Sequence, residues 1–484
     1  MNLSKIDKVM SNMLIVNLML FFLTSCVNNE KKENEREKDT SVINFENQEV
    51  TENGTDSVNV LPDSMQINRM QDDSENNQTL SSKAKSNSGN PNSLSLSDFG
   101  VKGDGSDETK KIQEALNRSK GKSLIIPKQI GDHYLSGQLL IPSNIQIKCE
   151  PGVVFLAKNS LNQDYSNFEV LFRFEDVQNI IFDGQGAVFK MNKENFKKEF
   201  NHLFMINGSK NVSIKNVKAL NSGGDGIYIG ALRSKNSYPQ DITIENCTSD
   251  NNRRQGLSIT SGVNITVVNS AFNNSKGTDP AAGLDIEPGN SKAILKNIRI
   301  KDCQANNNTK RGFVVILNRL NQNSEPVDVV FENCTSTGNL EGFSSRQFRG
   351  VQGNIKFVNC VARNSKNTGF TESSCLANSI KKVYQNCIAE NSNTSNKKMK
   401  GYLYKASFYL SGYADNRQVI GNSEFINCKS VVGANSQNVD YGMVVDNGDF
   451  EVKNISINNF ETKGSHNNDK IHVHEKQMKA LSIK

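Results

Sequence analysis

Short alternating apolar runs recur along the chain from Ile242 onward, each closed by an asparagine and, at most of them, a cysteine. Ile242-Thr243-Ile244-Glu245-Asn246-Cys247 is one instance, and the corner returns at Asn333-Cys334, Asn359-Cys360, Asn386-Cys387 and Asn427-Cys428, with Asn269-Ser270 and Asp302-Cys303 as variants. Alternation with a period of two marks a strand with one buried face. The cysteines from Cys303 to Cys387 stand 26 to 31 residues apart. That is room for three short strands and three turns, and it predicts one coil of a parallel β-helix per repeat. Asparagine suits such a corner because it tolerates a left-handed backbone, and stacked amides can bond from coil to coil. The neighbouring cysteine is small and apolar enough for a crowded interior.

A second mark follows each corner by eight to sixteen residues: a loop, then glycine and an alternating strand, as in Gly226-Ile227-Tyr228, Gly256-Leu257-Ser258, Gly283-Leu284-Asp285, Gly312-Phe313-Val314, Gly342-Phe343-Ser344 and Gly369-Phe370-Thr371. The residue after each glycine is Ile, Leu or Phe, so it faces in and the next faces out. Stacking coils about 4.8 Å apart aligns outward columns. Tyr228, Ser258, Asp285, Val314, Ser344 and Thr371 form one. Gly230, Thr260, Glu287, Ile316, Arg346 and Ser373, two residues on, form another, and just before the glycines stand Asp225, Gln255, Ala282, Arg311 and Glu341.

The amino-terminal end reads differently. Lys5 and Lys8 precede an apolar run from Leu14 to Leu23, too short for the roughly 20 residues a spanning helix needs, so residues 1–25 are expected to be a signal peptide. The closing Leu23-Thr24-Ser25-Cys26 resembles the bacterial lipobox. That resemblance implies lipidation at Cys26 and export of everything beyond it. Val27 is not the aspartate that often marks inner-membrane retention, so the expectation is an outer-membrane lipoprotein of the bacterial cell envelope, its membrane contact made through the lipid. Residues 26–93 are rich in Asn, Ser, Glu, Lys and Asp without apolar period. They read as a disordered tether with about 45 Å of coil reach. The β-helix is then expected over 94–464 and a carboxy-terminal tail over 465–484.

Just before the repeats, Asp98-Phe99-Gly100-Val101-Lys102-Gly103-Asp104-Gly105-Ser106-Asp107-Glu108-Thr109, followed by Ile112, Ala115 and Leu116, resembles the opening of the pectate-lyase-like superfamily, which includes rhamnogalacturonases, epimerases and phage tailspikes. The resemblance implies an all-β fold, a single-stranded right-handed parallel β-helix with an amphipathic α-helix capping its amino-terminal end. Ser106 is placed to cap that helix, with Asp107 and Glu108 in its first turn. The resemblance also puts a polysaccharide groove on the outer face of the sheet that each repeated glycine begins.

Within that groove the sharpest local feature is Leu284-Asp285-Ile286-Glu287. Carboxylates two apart on a strand face the same way about 6.5–7 Å apart along the chain, a spacing compatible with inverting glycoside hydrolysis. Asn221-Ser222-Gly223-Gly224-Asp225-Gly226 distantly resembles the Asn-Thr-Asp-Gly strand of polygalacturonase-like hydrolases, which would give Asp225 the acid role. That family's Asp-Asp pair is replaced here by Arg254-Gln255, and its Gly-His-Gly is absent. Asp225, Asp285 and Glu287 are therefore the candidate catalytic residues, with Tyr228, Arg253, Arg254, Gln255, Lys276, Arg311 and Arg346 as candidate substrate contacts. A hydrolase is one reading. A polyuronide lyase or C5-epimerase is a second, in which Arg254, Arg311 or Tyr228 removes a proton beside a neutralised carboxyl and a calcium ion is a possible helper. A noncatalytic glycan-binding lipoprotein is the third.

Composition narrows the partners. With 57 Lys+Arg against 51 Asp+Glu over 484 residues, the net charge of +6 is no nucleic-acid footprint. Hydrophobic residues make up 36%, Trp is absent and only 9 residues are Pro, which disfavours a compact helical enzyme with an aromatic core. No Cys-x-x-Cys occurs, so neither a zinc site nor another cofactor is implied. The eight cysteines after Cys26 are expected as buried thiols, with Cys149 and Cys375 off the ladder.

Overall fold

The computed structural model describes residues 92–398, 402–412, 419–433, 438–445, 451–464, 466–468, 470–473 and 481–483. The expected signal peptide, the expected lipidation site Cys26 and all but the last two residues of the expected tether lie outside them. Three parallel sheets account for nearly all the regular structure, with 14, 12 and 12 strands among the described residues. Each coil lays one strand in each sheet: Gln240–Glu245, Thr248–Asp250 and Leu257–Ile259, then Gly262–Val268, Ala271–Asn273 and Ala282–Ile286. Register follows the sequence repeat, with Ile242 beside Ile265 and Leu257 beside Leu284. The sheets also continue past Gly464, through Ile471–Val473 and Leu481–Ile483, into the stretch read as a tail.

The asparagine corners do what their side chains allow. Asn333, Asn359 and Asn386 all have φ of +53°, a left-handed conformation that asparagine tolerates at low cost. Their amides form a ladder, Asn359 Nδ2 donating to Asn333 Oδ1 at 3.1 Å and Asn386 Nδ2 to Asn359 Oδ1 at 3.0 Å. Asp302 and Asn427 extend it in both directions. Beside it the thiols of Cys303, Cys334, Cys360, Cys387 and Cys428 point inward. All eight described cysteines are buried and free. Behind them rise stacks of rings, Phe313 on Phe343 on Phe370 on Phe408 at 4.7–5.0 Å and within 9° of parallel. Each such pair is worth about 0.5–1.5 kcal/mol beyond area burial.

One expectation about a capping residue needs correction. The helix Thr109–Arg118 buries Ile112, Ala115 and Leu116 as its period predicts, but Glu108, not Ser106, stands at its N-cap position and no side chain caps it. Ser106 instead bonds Asp104, and Glu108 reaches back to accept the amides of Lys102 and Gly103 at 2.8 and 2.7 Å. The carboxylate thus organises the loop ahead of the helix. The interior also holds a charged pair. Lys382, fully buried on the fourteen-stranded sheet, lies 3.3 Å from Glu372 on the glycine-led sheet, and Ser423 Oγ donates to the same carboxylate at 2.8 Å.

Candidate functional site

The glycine-led sheet begins each strand with a sharp change of direction. The glycine's own Cβ position faces the interior, where it would lie 2.7 Å from Ala305 Cβ and from the Gly312 carbonyl oxygen at Gly283. Nothing larger than hydrogen fits, which explains the repeated glycine without recourse to an unusual φ. The residue before it is turned outward. Pairing of Phe204 with Ile227, Ile227 with Leu257, and Leu257 with Leu284 then keeps the Tyr228 column and the residues before the glycines in register from coil to coil. One residue that the repeat did not flag joins the row before the glycines: His202, two before the inward Phe204, as Asp225 is two before Ile227.

Arg254 is the hub of what these columns assemble. Its Nη1 lies 3.7 Å from Asp225 Oδ2 and its Nη2 3.9 Å from Glu287 Oε2. Gln255 links the acids, its amide Nε2 donating to Asp285 Oδ2 at 3.0 Å and its main-chain N–H to Asp225 Oδ1 at 3.2 Å. The main-chain N–H of Asp225 donates to His202 Nδ1 at 2.9 Å. The His202 ring stacks on Tyr228 at 5.0 Å and 14°, and Tyr228 Oη shares a hydrogen bond with Thr260 at 3.0 Å. Asp225, Tyr228, Arg254, Gln255, Asp285 and Glu287, six residues picked out by parity and composition, thus form one connected group.

Burial corrects the expectation that its acids face solvent. Asp225 and Asp285 are both 0% exposed. Arg254 and Glu287 keep 15% and 33% of their side chains exposed. The segment Lys193–His202 crosses over this part of the sheet. Phe196 lies against Gly223, the Glu199 carbonyl against Gly224, and Lys193 accepts a long 3.4 Å bond from Arg253 Nη2. An outward strand position is therefore not an exposed one here.

Protonation follows from that burial. Desolvation, then the charge of Glu287, pushes the Asp285 carboxyl well above its ordinary range despite Arg254 and Gln255, and contact between the two carboxyl groups adds to the shift. Asp285 is thus the carboxyl that its surroundings bias toward the protonated form. Burial also raises Asp225, opposed by Arg254, Ser258 and the Gln255 amide. His202 is driven well down by burial, then by Arg254 and Arg173. Its 3.6 Å approach to Asp225 Oδ2 is consequently not an ion pair. Because Nδ1 accepts an amide proton, the ring carries its own proton on Nε2.

The remaining predicted contacts fall elsewhere. Arg311 and Arg346 are both drawn to Glu341, Arg311 Nε at 3.2 Å and Arg346 Nη2 at 2.5 Å, and Arg346 Nε also donates to Ser344 at 2.9 Å. Despite burial, Arg346 and Arg311 hold the Glu341 carboxyl down at about 2. Arg253 turns away from the acids toward Lys193, where Lys276 adds a further positive charge. Among the described residues no group of three or more His, Cys, Asp or Glu side chains is arranged to hold a metal ion.

Residues 179–388 match the family model of the right-handed β-helix region. Over 196 residues the chain is 26% identical to the SPbeta prophage-derived uncharacterized protein YorA of Bacillus subtilis (strain 168), covering 36% of this chain and 32% of that one. It thus spans about a third of that relative's length. Among solved structures, the chain resembles the surface adhesin PfbA of Streptococcus pneumoniae with a TM-score of 0.56 and 16% identity, over 78% of this chain and 93% of the other. It resembles the family 28 exopolygalacturonase of Yersinia enterocolitica with a TM-score of 0.52 and 13% identity, over 78% of each. At these identities the likeness is one of fold.

Proposed function

Given that the chain is a right-handed parallel β-helix of the pectate-lyase-like kind, we propose that it acts on a polysaccharide and hydrolyses its glycosidic bonds at the Arg254 cluster. One observation carries the reading: three acids gather at one guanidinium, with Asp225 Oδ2 3.7 Å and surface Glu287 Oε2 3.9 Å from Arg254 and buried Asp285 tied to Asp225 through Gln255. Glu287 is the group that meets the substrate. A proton from the Asp285–Glu287 pair passes to the glycosidic oxygen as the bond to the anomeric carbon breaks, and water attacks that carbon and gives its proton to Asp225. Asp225 serves in this step only after Arg254 swings aside. That the solved structures of this fold include an exopolygalacturonase supports the assignment. Proton abstraction by Arg254, as a lyase or epimerase would need, is disfavoured, because neighbouring acids, among them Asp225, Glu199 and Glu287, keep its guanidinium charged against the pull of burial.

The test is release of reducing ends from a panel of acidic and neutral polysaccharides by the full chain. Asp285→Asn and Glu287→Gln should each lower turnover by about 10²–10⁴-fold. Unsaturated uronide absorbance among the products would instead identify a lyase. The burial of Asp225 and Asp285 favours a second reading, a noncatalytic glycan binder, which predicts no product from any polysaccharide. In either case we propose that Cys26 carries the lipid that holds the protein to the outer membrane. Cys26→Ser should move it from the membrane to the soluble fraction, and the wild type should incorporate labelled palmitate.

A further inference from the structure

Tyr165 is 71% exposed, although nothing in the fold requires an aromatic residue there. Its ring meets Phe200 edge-on at 5.1 Å, Phe200 meets Phe168 at 5.6 Å, Phe168 meets His202 at 6.0 Å, and His202 stacks on Tyr228 at 5.0 Å. A continuous series of rings thus leads from an open tyrosine face to the Arg254 cluster.

The two loops that carry the outer rings are fastened to each other. Buried Asn201 donates to the carbonyls of Asn162 and Glu169 at 2.8 and 2.9 Å. Gln163 accepts the Lys197 amide at 2.7 Å and donates to the Asn195 carbonyl at 3.1 Å. Tyr165 is therefore presented on a built support rather than left on a loose turn, and such pre-ordering lowers the entropy lost when a ligand settles on it.

We infer that Tyr165, backed by Phe200, is a stacking platform for a sugar ring of a polysaccharide whose chain continues to Glu287 and Arg254. A pyranose offers an apolar face of C–H groups and a polar rim. Tyr165 offers a flat apolar face with Asp164, Ser166 and Asn167 exposed beside it, and an aromatic body with a polar tip suits such mixed surfaces. Continuity with the charged cluster selects a long glycan over an apolar partner. The inference rests on the reading of that cluster as a polysaccharide site.

Electrophoresis of the full chain through gels cast with polygalacturonate, alginate, xylan or mannan tests it. At least one should retard the wild type, and Tyr165→Ala should weaken that retardation by at least about fivefold without changing the melting temperature, whereas Tyr165→Phe keeps it. The chain has no tryptophan, so the Tyr165→Trp variant gives a single fluorophore whose emission should shift on adding the retarding polysaccharide. No retardation by any of the four, unchanged retardation in Tyr165→Ala, or a change of that variant in oligomeric state alone overturns the platform. Cleavage that persists with unaltered retardation in Tyr165→Ala removes the platform and spares the hydrolase. Retardation that depends on Tyr165 without any cleavage does the reverse.

Discussion

His202 accepts the main-chain amide of Asp225 through Nδ1 at 2.9 Å, so the imidazole is fixed in one tautomer, neutral and buried next to Arg254. Protonation would break that bond and set a second positive charge against the guanidinium. The histidine therefore holds in place the strand start on which Asp225 sits.

Acid should loosen the fold through this contact. The folded-state proton affinity of His202 lies well below the ordinary value of 6.5, so the unfolded chain binds a proton that the folded chain refuses. Its contribution is intact above about pH 6.5 and is lost as pH falls below it. The midpoint of denaturant unfolding should drop between pH 7.5 and pH 5. His202→Asn, whose amide oxygen can take the same bond without titrating, should show a smaller drop.

Asp285 carries the opposite sign. Its folded-state affinity is raised, so its favourable share is complete below about pH 3.8 and disappears as pH rises through the shifted value. Asp285→Asn keeps the shape and the donor but cannot ionise. Its melting temperature should match the wild type in acid and exceed it at pH 8, while turnover falls.

Glu341 shows what a paired acid does instead. Held at about 2 against an ordinary 4.5, it stabilises above pH 4.5 and loses that contribution as pH falls toward 2. Glu341→Gln leaves Arg311 and Arg346 facing each other and should cost about 3–5 kcal/mol in denaturant unfolding. Arg311 and Arg346 thereby serve the fold in the position where composition alone suggested a sugar subsite.

Gly283→Ala tests the strand entry. The new methyl has to displace Ala305 or the Gly312 carbonyl, overpacking that costs about 1–3 kcal/mol. Calorimetry should register it as a lowered melting temperature, with a larger loss at Gly283 than at Gly433, whose Cβ position meets only Asn391 Oδ1 at 3.6 Å.

Much of this architecture is legible in the chain because a coil repeats. Ile227, Leu257, Leu284 and Phe313 keep one parity, so the outward places of Tyr228, Asp285 and Glu287 follow from counting, and Asp225 and Gln255 fall in register just before the glycines. Their burial does not, since the Lys193–His202 segment that covers them has no period to read. His202 was visible in principle, two residues before an inward phenylalanine, but its coil lacks the glycine that marks the others. Ser106 failed as a cap because Asp104 is the nearer acceptor and Glu108 is engaged with the preceding loop. Such a contest among adjacent polar groups has no signature in spacing.

The interior pair Lys382–Glu372 bears on how so uniform a stack finds its correct threading. Corners of the Asn-Cys type recur with little to tell them apart, and a coil displaced by one rung would still bury apolar residues and still join amides. Two opposite charges confined to adjoining walls of the lumen admit one arrangement only. In any other threading, Lys382 or Glu372 enters the lumen alone, and an unmatched buried ion is far costlier than a mismatched valine. A feature that adds little to the depth of the native well thus raises the floor beneath its nearest competitors, and a periodic chain gains an address at which counting begins.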